Sequence, residues 1–87
     1  MVLSMITGQQ IRAARNALKW SADILAQAAG VNPKTIRRIE AADGLPDSTI
    51  STISKLKATL EAAGIEFIGT PEDGPGIRIH AQPDHGA

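Results

Sequence analysis

Apolar residues recur every three or four positions through the first two thirds of the chain and roughly every second position near its end, so helices followed by strands are predicted. Ile11, Ala14 and Leu18 set the inner face of a first helix over about residues 7–19, with Thr7 as its cap. Trp20 follows it, placed as a core anchor between packed helices rather than as an exposed stacking platform. Ile24, Leu25 and Ala28 repeat at helical spacing in a second, short helix that Ser21 caps and Gly30 ends in a left-handed conformation. Val31 is the expected buried pin of a sharp turn. A third helix then opens at once. Asn32 is its N-cap, Pro33 takes the first helical position where a missing N–H costs nothing, and Ile36 and Ile39 supply one apolar stripe.

After a turn at residues 43–47 (DGLPD), Asp47 or Ser48 caps a long fourth helix. Its stripe is Ile50, Ile53, Leu56, Leu60 and Ala63, and Gly64 terminates it, with Ile65 beyond able to contact Leu60. Residues 65–68 and 77–80 then largely alternate as short strands, joined by the turn-rich segment 69–76, which predicts a hairpin with a longish loop. A lone two-stranded hairpin is marginal in water and needs a cover. It either folds back on its own helices or pairs with the same strands of a second chain. The second arrangement is favoured, because Ile65, Phe67, Ile77 and Ile79 are more apolar side chains than so small a helical unit requires. The expected organisation is therefore mainly α, with a helical unit over 1–64, a β-hairpin over 65–81 used in dimerisation, and a disordered tail over 82–87.

With 87 residues there is room for one small core, and a partner chain would help to stabilise it. The absence of cysteine excludes disulfides and thiolate metal sites. No apolar run is long enough to span a bilayer and the Met1 to Ile6 stretch is too short for a signal peptide, so a cytoplasmic protein with no membrane partner is expected. The zero net charge conceals a strong asymmetry. Through Ile39 the cations Arg12, Arg15, Lys19, Lys34, Arg37 and Arg38 face the single acid Asp23, whereas from Glu40 onward Lys55, Lys57 and Arg78 face eight acids. One half is built to attract phosphate and the other to repel it, which orients the molecule on a duplex.

Two short helices around a tight turn, the second presenting Lys34, Arg37 and Arg38, form the pattern of a helix-turn-helix. Residues from about 6 to 60 resemble the λ-repressor-like, XRE-type regulators, the group that includes phage Cro and CI repressors. The likeness is carried by Ile11 and Arg15, Ser21 with Leu25 and Ala26, Gly30-Val31, Thr35-Ile36, Arg38-Ile39-Glu40, and Gly44 with Pro46. It implies a λ-repressor-like helical bundle whose third helix enters the major groove, usually as a dimer on a two-fold-related site. It also implies base contacts by Lys34, Thr35 and Arg38, a base or phosphate contact by Arg37, phosphate contact by Asn32, and a structural ion pair between Arg15 and Glu40. Ser21 and Lys19 are further expected phosphate contacts. Two departures stand out. Relatives often carry a phosphate-binding Gln directly after the second helix's cap, where this chain has Ala22, and Pro33 has only its ring to offer a thymine methyl.

The Arg fork matches guanine O6 and N7, so this set suggests a site with G·C pairs and one thymine contact. The expected function is a sequence-specific regulator, a repressor acting as a homodimer on an inverted repeat, of bacterial or phage origin. The alternative is an antitoxin that holds a toxin with its C-terminal part and controls its own operon. No enzyme is expected. Cys and Tyr are absent, the glycines form no phosphate-binding motif, and His80 and His85 lack partners at metal-ligand spacing, so neither a cofactor nor a metal is implied.

Overall fold

The computed structural model describes residues 6–42 and 50–80; the expected turn at 43–47, the caps Asp47 and Ser48, His85 and the 82–87 tail lie outside them. Four helices, α1 (Gly8–Ala17), α2 (Ala22–Ala29), α3 (Pro33–Glu40) and α4 (Ile50–Ala62), precede an antiparallel hairpin of β1 (Ile65–Thr70) and β2 (Asp73–Ile79). Ile11, Ala14, Leu25, Ile36, Ile39, Leu56, Leu60 and Ile65 meet in one core, with Trp20, Val31, Phe67 and Ile77 half-buried against it.

Thr7 and Gln10 start α1 by satisfying each other. The Thr7 hydroxyl accepts from the Gln10 N–H at 3.0 Å, and Gln10 Oε1 accepts from the Thr7 N–H at 2.8 Å, a complete capping box. The helix ends two residues sooner than the periodicity predicts, because Lys19 turns left-handed at φ 61°. The Trp20 N–H then reaches the Arg15 carbonyl and the Lys19 N–H that of Asn16, which is the Schellman arrangement with lysine where glycine is usual. In α2 the helical period holds but its phase is one residue off the expected one. Leu25 and Ala26 are buried and Ala22 and Ala29 half-buried, whereas Ile24 and Ala28 are exposed. The small alanines let α2 pack closely, and this outweighs the bulk of Ile24. On α4 the buried stripe starts at Ile53, leaving Ile50 82% exposed.

The hairpin differs most from expectation. The strands extend through the predicted loop and leave only Pro71 and Glu72 between the paired residues Thr70 and Asp73. An irregularity between Ile68 and Thr70 lets β2 carry one extra residue, a bulge. Gly69 makes it possible: its φ is 76°, and a Cβ there would lie 2.1 Å from the Gly74 carbonyl oxygen. The cover is the chain's own helices, the arrangement not favoured from the pattern alone. Ile65 is 2% exposed within the shared core, so its side chain has no surface left for a second chain. Phe67 and Ile77 pack against the same core, and only Ile79 of the four is open to solvent.

Gln10 explains why the hairpin settles there. Its Nε2 donates to both Ile68 O at 3.1 Å and Gly76 O at 2.8 Å, supplying at the bulge the donor that the strand ladder lacks. One buried amide thus joins the start of α1 to the sheet. Gln10→Ala strands two carbonyls and opens the capping box, so a loss of about 2 kcal/mol is expected in urea unfolding, at roughly 1 kcal/mol per net bond less partial rehydration. An unchanged midpoint would contradict this role.

On the outer face, Glu66 accepts from Arg78 at 3.2 Å and lies 2.6 Å from His80 Nε2. The His80 hydrogen bond is the main cause that holds the Glu66 carboxyl below the ordinary carboxylate range, with Arg78 adding to it. The Glu66 side chain is 43% exposed and its two partners more so, so the cluster ties the strand ends together on the surface without adding to the core.

Candidate nucleic-acid interface

Asn32 and Pro33 fix where α3 begins. Asn32 Oδ1 accepts the Lys34 N–H at 2.8 Å, which leaves the side-chain NH2 free to donate outward. Ser21 does the same for α2: its hydroxyl oxygen accepts from Ile24 at 3.0 Å while the O–H proton remains available. Gly30 at φ 71° turns the chain between the two helices, and the Val31 N–H closes that turn on the Ala26 carbonyl. With Ile36 and Ile39 buried, α3 turns Lys34, Arg37 and Arg38 to solvent and leaves Pro33 and Thr35 half-exposed.

The far end of α3 is held by a stripe along α1. Gly8, Arg12 and Arg15 stand four and three residues apart, so they share one face. Gly8 brings the backbones together: a Cβ there would lie 2.2 Å from Ile39 O and 2.4 Å from Ala42 O. Arg12 Nη1 donates to the Glu40 carbonyl at 2.8 Å, satisfying a helix C-terminal acceptor with a cation at the negative end of the helix dipole. Arg15 grips the Glu40 carboxylate with two bonds, Nε to Oε2 and Nη2 to Oε1, both 2.8 Å, and reaches the Trp20 carbonyl with Nη1 at 2.9 Å. The Glu40 hydrogen bond is the main cause that raises the Arg15 pKa above its already high ordinary value; burial works against it and the Glu40 charge assists. The fork therefore stays charged throughout the physiological range.

These contacts revise the electrostatics read from composition. Arg12 and Arg15 are occupied inside the fold, and Arg37 Nη2 bonds Asp23 Oδ1 at 3.1 Å. Among the described residues Lys19, Lys34 and Arg38 are the cations of this half with neither an ion pair nor a hydrogen bond from the side chain to the rest of the fold, since Arg12, though in no ion pair, is held by the Glu40 carbonyl. Lys19 is exposed at the α1–α2 corner, in a backbone region that costs a non-glycine residue of order 1 kcal/mol. Sequence reasoning missed Gly8, Gln10, Arg12 and the Asp23 pairing. For Gly8 and Arg12 the signal was present in their helical spacing from Arg15, and Asp23 was conspicuous as the sole acid among six cations.

No group of His, Cys, Asp or Glu that could hold a metal occurs among the described residues, and no described helix is long and apolar enough to cross a membrane. A family model described as helix-turn-helix matches residues 11–56, more than half of the chain. No curated protein matches it.

Proposed function

We propose, from the premise that the chain belongs to the XRE-type helix-turn-helix family of DNA-binding transcriptional regulators, that it acts as a sequence-specific repressor binding an inverted-repeat site as a homodimer. The observation that carries this reading is the outward face of α3, where Lys34 and Arg38 are exposed and Thr35 half-exposed on a helix clamped at both ends. In the duplex, α3 lies in the major groove with Arg38 on a guanine edge, Lys34 and Thr35 beside it, and the Pro33 ring against a thymine methyl. Ser21, Asn32 and Lys19 hold phosphates and set the register. The two copies of α3 stand one duplex turn apart, roughly 34 Å, and the site is a matching palindrome. In the dimer, Ile79 and the unpaired outer edge of the hairpin form part of the contact; Ile79 is 62% exposed. Repression follows from occupying a promoter, which places the protein where it reaches the chromosome.

Selection of sites from random duplex DNA, with the complex sized on a column, tests the whole reading. An enriched inverted repeat bound by two protomers is expected. Lys19, the free cation placed on a phosphate, also sets a slope of about −2 for log affinity against log salt in the dimer, from about 0.9 per phosphate contact. Affinity for selected sites no greater than for bulk genomic DNA at physiological ionic strength overturns the proposal.

Two substitutions separate reading from anchoring. Arg38→Ala loses about 1–3 kcal/mol on the selected site and relaxes preference at one base pair. Lys19→Gly weakens every sequence alike yet stays within about 0.5 kcal/mol of parental stability, because relief of the left-handed strain offsets the greater freedom of the unfolded chain. A loss for Arg38→Ala spread evenly over a panel of single-base variants contradicts its assignment.

A further inference from the structure

Asp23 is the only acid before Glu40, and it is paired. Its carboxylate stands in the first turn of α2 and receives one hydrogen bond from Arg37 in the last turn of α3. Both side chains are well exposed, so a single-contact pair of this kind adds little to stability. Its consequence lies at a polyanion. In a docked helix-turn-helix the helix before the reading helix crosses the sugar-phosphate backbone, which brings the Asp23 carboxylate close to phosphates. Were Arg37 to leave for a phosphate, Asp23 would face like charges without a partner. Keeping the pair closed avoids that repulsion. It also removes one cation from the set that binds any duplex regardless of sequence, while the guanidinium still has four N–H donors beyond the one it gives to Asp23.

We propose that Asp23 is a specificity-determining residue, which holds Arg37 as a neutral pair, keeps it off backbone phosphates and so leaves its remaining donors for a base edge. This rests on the DNA-binding reading above and adds to it a device against indiscriminate binding. With the pair closed, Arg37 contributes no counterion release. With Asp23 neutralised, Arg37 behaves as one more phosphate-binding cation on every sequence.

The salt dependence of affinity, measured on a random duplex and on the selected site, reads this directly in the full chain, Asp23→Asn, Arg37→Ala and the double variant. Asp23→Asn is expected to steepen the slope on random duplex by about 0.9 per protomer. It also lowers the ratio of selected-site to random affinity by roughly tenfold, the scale on which one base-edge interaction discriminates between base pairs. In the Arg37→Ala background the same change leaves the slope at its Arg37→Ala value. A parental slope in Asp23→Asn overturns the proposal. So does an equal steepening with and without Arg37, which makes Asp23 a like charge near phosphates and nothing more. A parent chain that binds duplex without any salt dependence overturns the DNA-binding reading itself, a distinct result from either.

Discussion

Arg15→Met is expected to lower the free energy of unfolding by about 3–5 kcal/mol, most of what a domain of this size has. The Arg15 and Glu40 side chains are 17% and 8% exposed, so their charges have little water to fall back on. Removing the guanidinium abolishes two charged bonds to Glu40 and the bond to the Trp20 carbonyl, and leaves a carboxylate enclosed by the core and the α1 face. The magnitude comes from this orphaned charge rather than from the attraction of the pair, which desolvation largely offsets. The double variant Arg15→Met/Glu40→Met is therefore expected to recover much of the loss. Urea denaturation of the two singles and the double, followed by circular dichroism, gives the coupling. Additive losses would show that the two residues act independently and that the pair is not the reason for the cost.

Gly8→Ala is expected to cost about 3 kcal/mol and to lower the melting temperature by roughly 15 °C, a large effect for a single methyl group. The Cβ would stand within 2.4 Å of two backbone carbonyl oxygens, Ile39 O and Ala42 O. Neither is the movable tip of a side chain. Relief requires α1 and the end of α3 to separate, which pulls Arg12 from the Glu40 carbonyl and strains the Arg15–Glu40 fork. The same displacement tilts α3, so the surviving folded fraction binds the selected site more weakly than its concentration predicts. Melting by calorimetry and titration corrected for the active fraction check both parts. A parental melting temperature would mean that the α1–α3 approach is looser than described.

Among the described residues the helix N-caps and the Gly30 stop were legible in the sequence because they are local, whereas the left-handed Lys19 that ends α1 was not. Thr7, Ser21, Asn32 with Pro33, and Gly30 act within one turn of the chain, and the structure places each where the pattern predicts it. The buried stripe of α3 follows for the same reason: Ile36 and Ile39 are the apolar residues within an otherwise polar helix. The phase of α2 was not legible, because Ile24 outweighs Ala26 in any hydropathy reading, while close helix packing prefers the smaller side chain. The hairpin's true length was hidden too. Gly69 and Gly74 signal a turn when read alone, and only the paired strand shows that they serve a bulge.

The outward face of α3 was legible as a set of residue types at helix-turn-helix spacing, and it lies within the family match over residues 11–56. Which of those cations are free was not. Asp23 and Arg37 lie fourteen positions apart, Arg12 and Glu40 twenty-eight, and Gln10 and Gly76 sixty-six. No periodicity links positions so distant.

By itself the chain's order of residues determined its helices, their starts and the motif that presents Lys34 to Arg38, since those depend on backbone hydrogen bonds and spacing within a turn or two. Tertiary structure alone decided that the hairpin covers its own core, that Gln10 fills the bulge, and that three of six cations are already engaged. Each of these is settled by competition among distant groups for the same donor or carboxylate, and that competition exists only once the elements have been brought together.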